Sequence, residues 1–320
     1  MKVIVLISRF FVAITFIFSG FVKLVDPLGS AYKFQEYFGA DVLNLEFLIP
    51  YALPFSILLI LAEIMLGVLL LLGYSKKITV WSLLGIILVF LFLTWYSAYF
   101  DKVTDCGCFG DAVKLSAWGT FYKNIVLVVF ILILVINVRL IKPLFSKNIV
   151  KWASFLSFFV FMFITYHVLV HLPIIDFRPY AIGKSIPEGM KFKGAEMPPI
   201  HDFYLESVNG DDLTSQVLLE NKVMLIVAYN LSKTDKESFS KIKIVTDKAI
   251  SEGFKVYALS ASLNEDFIDI QDEFDLNFEM LFCDETTLKT IIRANPGIVT
   301  LKEGVVVGKW NWIDYDEVAF

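Results

Sequence analysis

The sequence predicts an α-helical membrane bundle of about five transmembrane helices, followed by a water-soluble α/β domain. Two observations predict this fold class. Of the 320 residues, 57% are hydrophobic and the mean hydropathy is +0.68, whereas roughly half or fewer of the residues in a soluble protein are apolar. Residues 1–172 contain 13 Lys and Arg against 8 Asp and Glu, but residues 173–320 contain 15 against 25. The chain therefore divides into a lipid-bilayer half and an acidic half. The acidic half has no basic patch, which argues against a nucleic-acid partner.

Each predicted helix is long and apolar enough to cross a hydrocarbon core of about 30 Å, which takes about 20 helical residues. The five stretches are 3–25, 50–73, 78–100, 120–141 and 150–172. A signal peptide is the alternative for the first stretch. Its apolar run is longer than the roughly 7–15 residues of a signal peptide, and no small-residue cleavage site follows. We therefore expect a retained helix.

The charges of the short loops predict the topology, because Lys and Arg near helix ends stay on the cytoplasmic side. Lys76 and Lys77 lie in one loop, and the segment 142–151 carries three more lysines. The loops 26–49 and 101–119 contain more acidic than basic residues. We predict a multi-pass protein of the inner (cytoplasmic) membrane, with its N-terminus inside and its C-terminal domain extracytoplasmic (N-in/C-out).

The second acidic loop contains two cysteines, Cys106 and Cys108, on either side of Gly107. Thiols outside the cytoplasm tend to be oxidised, and glycine permits the tight backbone that a bridge across one residue requires. A disulfide in so small a ring is expected to be strained, and strained disulfides are the labile or catalytic ones. The spacing favours a redox pair, with a static clip or a metal site as alternatives. Two sulfurs are too few for a closed zinc site, so we predict no metal.

Three ionisable residues lie in the predicted helices, namely Arg9, Lys23 and Glu63. Charges in lipid are costly and by default indicate a function. Arg9 and Lys23 lie near opposite ends of their helix, where long side chains can reach the headgroups. Glu63 lies about midway along its helix and needs a partner. We expect a structural Arg9–Glu63 pair, with a proton or ligand role for Glu63 as the alternative. His167 and His171 are expected to be interfacial rather than metal ligands.

The membrane half resembles two related families. The DoxX family of small four-helix membrane proteins is similar at Arg9, Phe18-Ser19-Gly20, Lys23, Asp26-Pro27, Glu63, Gly67 and Gly73. The Asp-Cys-Gly-Cys-Phe-Gly loop that begins at Asp105 resembles the methylamine utilisation MauE family. The resemblance covers residues 1–141. The chain is also similar to the fused form of these proteins seen in Bacteroidetes-type bacteria.

The resemblance implies a membrane thiol–disulfide component in which Cys106 and Cys108 are the catalytic, exchanging pair. An extracytoplasmic protein client and a membrane quinone are the partner and the cofactor that it implies. The alternative is a non-enzymatic scaffold or assembly factor whose outer domain binds envelope proteins. A transporter that uses Glu63 has less support, because the sequence lacks evident Gly/Pro-interrupted helix pairs.

After residue 141, the sequence predicts a fifth transmembrane helix within 142–172, a Pro-rich linker at 173–200, and a folded domain at 201–320. Strands are predicted at 201–207, 223–229, 255–260, 279–282 and in a hairpin over 297–309. Helices are predicted near 235–252, 263–274 and 285–293. This alternation predicts a sheet with parallel members.

That order resembles the thioredoxin-like fold, in which a cis-proline precedes the last hairpin, and Pro296 is the candidate. Redox-active members carry Cys-x-x-Cys after the first central strand, whereas residues 228–233 of this chain contain no cysteine. The domain is therefore expected to bind a client rather than to perform dithiol chemistry. Cys283 follows a predicted strand. It is expected to be a small buried hydrophobic residue, with a lone reactive thiol as the alternative.

Overall fold

The structure is a computed structural model that describes residues 1–102, 110, 112–113, 115–192, 194 and 197–320. The chain forms two compact units, Met1–Leu169 and Val170–Phe320. Cys106 and Cys108, the predicted exchanging pair, lie outside the described residues.

The first unit is helical. Its long helices are α1 (Lys2–Val25), α2 (Pro27–Phe38), α3 (Ala52–Leu72), α4 (Lys76–Phe100), α5 (Ala117–Ile136) and α6 (Lys147–Val170). Among the described residues, five helical segments are long and apolar enough to cross a membrane, and all of the long helices except α2 contribute one. The prediction of about five apolar helices is confirmed.

Helix α2 lies within 26–49, for which the sequence predicts a loop. Its start has a local cause, because the Asp26 carboxylate accepts a hydrogen bond from the Gly29 backbone N–H at 3.0 Å. Pro27 occupies the first turn, where a missing N–H costs nothing. The Asp26-Pro27 pair is thus a helix start signal.

Aromatic side chains gather where α4 ends and where α5 begins. Trp95 and Tyr99 on α4, and Trp118 and Tyr122 on α5, all have exposed side chains. Trp and Tyr are enriched at membrane–water interfaces, where an apolar ring body and a polar tip are both accommodated. The pattern is typical of an aromatic belt at one face of a bilayer.

The second unit is built on a five-stranded sheet with the strand order β3-β2-β1-β4-β5. The strands are β1 (Val223–Val227), β2 (Lys255–Ser260), β3 (Glu279–Phe282), β4 (Gly297–Lys302) and β5 (Val305–Asn311). Strands β1, β2 and β3 are parallel, whereas β4 is antiparallel to both β1 and β5. All residues of the central strand β1 are buried.

Five helices of this unit are α7 (Ile186–Gly189), α8 (Thr214–Leu219), α9 (Glu237–Ser251), α10 (Asn264–Phe274) and α11 (Glu285–Ile291). Alternate residues of β1 enter two separate apolar clusters, with Leu225 in one and Ile226 in the other. A β–α–β unit followed by an antiparallel hairpin, with a cis Asn295–Pro296 peptide bond before β4, is the thioredoxin-like arrangement. The predicted α/β class is confirmed.

Two predictions for this unit need correction. The segment 173–200 is not a simple tether, because Tyr180, Ile186 and Ile200 are buried in the same cluster as Leu225. Its described residues include turns and the short helix α7, and apolar residues among them pack in the same cluster as the sheet. The strand predicted at 201–207 is also wrong, because only isolated bridges from Glu206 form there.

Candidate functional site

Two glycines bring α1 and α3 into close contact. A Cβ atom on Gly20 would lie 2.9 Å from the backbone nitrogen of Ile64, and one on Gly67 would lie 2.9 Å from that of Ile17. Small residues at a helix crossing let the two backbones approach within the membrane. These contacts show that α1 and α3 are antiparallel. Residues near the C-terminal end of α1 therefore lie beside residues in the middle of α3.

One of these side chains is Lys23, which forms an ion pair with Glu63. The distance from Lys23 Nζ to Glu63 Oε2 is 2.7 Å, and both residues are buried, at 7% and 2% exposure. Lys23 Nζ also donates to Ser19 Oγ at 3.1 Å and lies 5.1 Å from the centre of the Phe90 ring. A buried charge is tolerated when it is paired and hydrogen-bonded, and both conditions are met here.

Arg9 does not pair with Glu63, and that prediction is wrong. Its guanidinium donates to the backbone carbonyls of Leu70, Leu71 and Lys142 at 2.9, 2.8 and 2.7 Å. The last carbonyls of a helix have no partner within it and carry partial negative charge. Because the helices are antiparallel, Arg9 lies level with the end of α3 rather than with its middle.

Helices α4 and α5 add a neutral polar pair, Thr94 and Asn124, at 2% and 1% exposure. Asn124 Nδ2 donates to Thr94 Oγ1 at 3.2 Å, and the Thr94 hydroxyl donates to the Phe90 carbonyl at 2.7 Å. Because the Thr94 proton is used in this way, Thr94 must accept from Asn124, which fixes the orientation of the amide. Asn124 Oδ1 then has no hydrogen-bond partner among the described residues.

Two pockets adjoin these residues, and both are lined by Lys23 and Phe90. The first, called here the apolar pocket, has a volume of about 60 Å³, and its further lining includes Phe34, Tyr37, Leu59, Ile60 and Leu93. The second, called here the polar pocket, has a volume of about 10 Å³, which is room for about one hydroxyl group. It is also lined by Ser19, Glu63, Lys123 and Asn124. A buried ammonium therefore lies where an apolar space meets a polar one.

In the second unit, the end of β1 is held by amide hydrogen bonds. Asn295, next to the cis peptide bond, donates from Nδ2 to the Asn230 carbonyl at 2.9 Å. Residues 228–233, which occupy the position of the thioredoxin dithiol, contain no cysteine. The cis Asn295–Pro296 peptide bond and the end of β1 are thus joined by a hydrogen bond, as the thioredoxin-like topology places them side by side.

Cys283 is completely buried, and burial raises the pKa of its thiol to about 12. The thiolate is the nucleophilic form, so this environment suppresses reaction at neutral pH. The structure opposes the alternative of a lone reactive thiol.

Asp176, Arg178 and Lys309 form a cluster that the sequence does not predict. The Asp176 carboxylate accepts from Arg178 Nε at 2.7 Å and from Lys309 Nζ at 2.7 Å. Burial opposes ionisation of Asp176, but the two cations outweigh it and lower the pKa of the carboxyl. Burial also lowers the pKa of Lys309 to about 8. In the sequence, the indication of this cluster is Lys309, a lysine at a buried position of the apolar strand β5.

The structure places His171 beside an acidic residue. His171 Nδ1 lies 2.7 Å from Asp314 Oδ1. In the part of the chain that the structure describes, no group of three or more His, Cys, Asp or Glu side chains is arranged to hold a metal ion.

Residues 1–137 match the family model of methylamine utilisation protein MauE. The matched range, called here the MauE-like region, contains α1 to α5 and the loop with both cysteines. A crystal structure of a thioredoxin-like protein from Bacteroides caccae is similar at 13% identity over 85% of this chain and 83% of that chain, with a TM-score of 0.29. No curated protein matches the sequence.

Within the MauE-like region, the structure brings Lys23 and Glu63 together and places Arg9 elsewhere. Asn124 and Thr94 were not predicted as site residues, although an asparagine inside an apolar helix is a signal that intramembrane polar residues provide. Cys106 and Cys108 fall inside the matched range but outside the described residues.

Proposed function

We propose that this protein is a membrane thiol–disulfide exchange component that helps to mature extracytoplasmic proteins, with Cys106 and Cys108 as its exchanging pair. The observation that carries the proposal is the match to the MauE family over residues 1–137, which include that pair. The thioredoxin-like topology of the second unit, in the same chain, supports a connection with thiol chemistry.

The proposed exchange runs in two steps. A client thiolate attacks one sulfur of the Cys106–Cys108 disulfide, which forms a mixed disulfide and releases the other cysteine as a thiolate. A second client thiolate then attacks the client sulfur of the mixed disulfide. The client gains a disulfide, and the pair is left reduced by two electrons. A strained small-ring disulfide favours this direction, because strained disulfides are the more oxidising ones.

Renewed exchange requires a two-electron acceptor for the reduced pair, and we propose a membrane quinone for that role. A quinone supplies two carbonyl groups that take up two electrons and two protons. The residues around the apolar pocket fit such a molecule, because an apolar wall adjoins the Lys23 ammonium, a hydrogen-bond donor to carbonyl oxygen.

The proposed location is the inner membrane, with the loop 101–119 and the thioredoxin-like domain outside the cytoplasm. The lysines of the 74–77 and 142–151 segments support this orientation, because they belong on the cytoplasmic side. In this arrangement the thioredoxin-like domain and the cysteine pair are in the same compartment, and the domain recruits the client.

A second candidate is a non-enzymatic scaffold or assembly factor whose outer domain binds envelope proteins. The absence of cysteine from residues 228–233 favours this candidate, as does the complete burial of Cys283. In that case the cysteine pair is a static clip.

Trapping of mixed disulfides separates the two candidates. Cys106→Ser and Cys108→Ser each keep one thiolate, which can attack a client disulfide in the reverse of the second step. Each lacks the second cysteine, whose thiolate would resolve the resulting mixed disulfide. One of these variants should accumulate covalent client complexes that disappear with reductant, while Cys283→Ser and the double variant should not. If neither single variant traps a client in intact cells, the exchange proposal is refuted and the scaffold candidate is favoured.

A further inference from the structure

We propose that the MauE-like region holds a binding site for a lipid-soluble amphiphile, whose polar head accepts a hydrogen bond from Lys23 and donates one to Asn124. The site consists of the apolar and polar pockets, which share Lys23 and Phe90. The inference deepens the quinone step of the proposed function, on which its quinol candidate rests. Binding here requires neither cysteine of the pair, so its failure is separate from a failure of the exchange reaction.

The carbonyl of Asn124 is the first observation that points to a ligand. Asn124 is 1% exposed and lines the polar pocket, yet its Oδ1 atom has no partner among the described residues. A buried acceptor without a donor destabilises the fold. The Thr94 contact prevents the amide from rotating to relieve this cost. A hydroxyl group in the pocket would satisfy the acceptor.

Lys23 provides the second polar contact. An ammonium group has three protons, and Glu63 and Ser19 account for two of them. The remaining proton can be donated to a ligand oxygen at the junction of the two pockets.

The apolar pocket accommodates the body of the ligand. Its lining includes Phe34, Leu59, Ile60 and Leu93, with the Phe90 ring at the junction. Ligand sites generally combine a mostly apolar wall with a few convergent polar groups. Because these helices are apolar enough to cross a membrane, a molecule dissolved in the lipid is the natural occupant.

Two sources share this chemistry, namely a quinol and a long-chain fatty acid in its protonated form. Each combines an oxygen acceptor and a hydroxyl donor with an apolar tail. The probes are decylubiquinol, kept reduced without oxygen, and oleic acid. Each is titrated against the full-length protein in lipid nanodiscs, and binding is measured by equilibrium dialysis.

Matched variants test the polar and apolar contacts separately. Asn124→Leu removes the acceptor. Asn137→Leu, at the residue that caps the C-terminal end of α5, is its control, because Asn137 donates to the Ile133 carbonyl and does not line either pocket. Leu59→Trp fills the apolar pocket. Leu58→Trp is its control, since Leu58 is 68% exposed and adjacent in sequence.

We expect saturable binding of one probe. Asn124→Leu should weaken its affinity about tenfold, because one hydrogen bond to the ligand is lost. Leu59→Trp should weaken binding at least as much, and both controls should leave it unchanged. The probe that binds identifies the source. Failure of both probes to saturate the wild-type protein would overturn the proposal, as would equal binding to Asn124→Leu and Leu59→Trp.

Discussion

The buried Lys23–Glu63 pair should behave as a coupled unit. Lys23→Met leaves the Glu63 carboxyl, at 2% exposure, without its cationic partner. Removal of one partner from a buried ion pair typically costs about 3–5 kcal/mol, because the remaining charge is uncompensated. Glu63→Leu should have a cost of the same order. The double variant Lys23→Met/Glu63→Leu removes both charges and should recover to within about 1–2 kcal/mol of wild type.

The assay is reversible unfolding of the full-length protein in mixed detergent micelles, followed by tryptophan fluorescence. The double-mutant cycle then gives a coupling energy, which should be at least about 2 kcal/mol. Lys33→Met is the control, because the Lys33–Glu36 pair on α2 is half exposed and a pair of that kind contributes about 0–1 kcal/mol. Additive costs for the two single changes would refute the pairing of Lys23 with Glu63.

Three further changes test other contacts. Arg9→Leu removes the donor from three carbonyls and should lower the unfolding free energy in the same assay by at least about 2 kcal/mol; an unchanged value would contradict this anchoring role. Gly20→Val forces its side chain against the backbone of Ile64 and should lower the unfolding free energy by about 1–3 kcal/mol. Gly85→Val is the control, because a Cβ added there has no described atom from elsewhere in the chain within 4 Å, and it should lower this free energy by less than about 1 kcal/mol. Burial lowers the pKa of Lys309 to about 8, so the unfolded state binds this proton more tightly. The stability of wild type relative to Lys309→Met should therefore rise by up to about 3 kcal/mol as the pH increases from 8 to above 10 and stay constant below 8. Urea unfolding at several pH values checks this, and a flat difference would count against the burial of a charged Lys309.

The elements of the fold were largely predictable from local patterns. The apolar runs of α1 and α4 and the strands β2 and β3 follow from composition and period, which depend only on neighbouring residues. Helix α2 has a local start signal at Asp26-Pro27, but the long apolar runs that predict membrane helices do not extend over it. The segment around Tyr180 contains several prolines, which predict a linker, whereas its packing depends on distant apolar residues of the sheet.

The candidate site was predictable only in part. Lys23 and Glu63 stand out as charges in apolar helices, but their pairing depends on the antiparallel crossing that Gly20 and Gly67 permit. That crossing is a tertiary property, so the sequence alone suggested Arg9 as the partner instead. Asp176 and Lys309 lie 133 residues apart, and nothing in their local sequences indicates that they meet.

The central claim is that Cys106 and Cys108 form a labile disulfide pair. Mass-shift thiol labelling of the protein in intact cells, with and without a mild reductant, tests it most directly when the cysteines are measured separately. Cys283 is the internal control, because its complete burial should protect it from labelling until the protein unfolds. The account predicts that mild reductant converts Cys106 and Cys108 together from protected to labelled. Labelling of Cys106 and Cys108 before reductant is added would contradict it, and so would their remaining unlabelled after reductant.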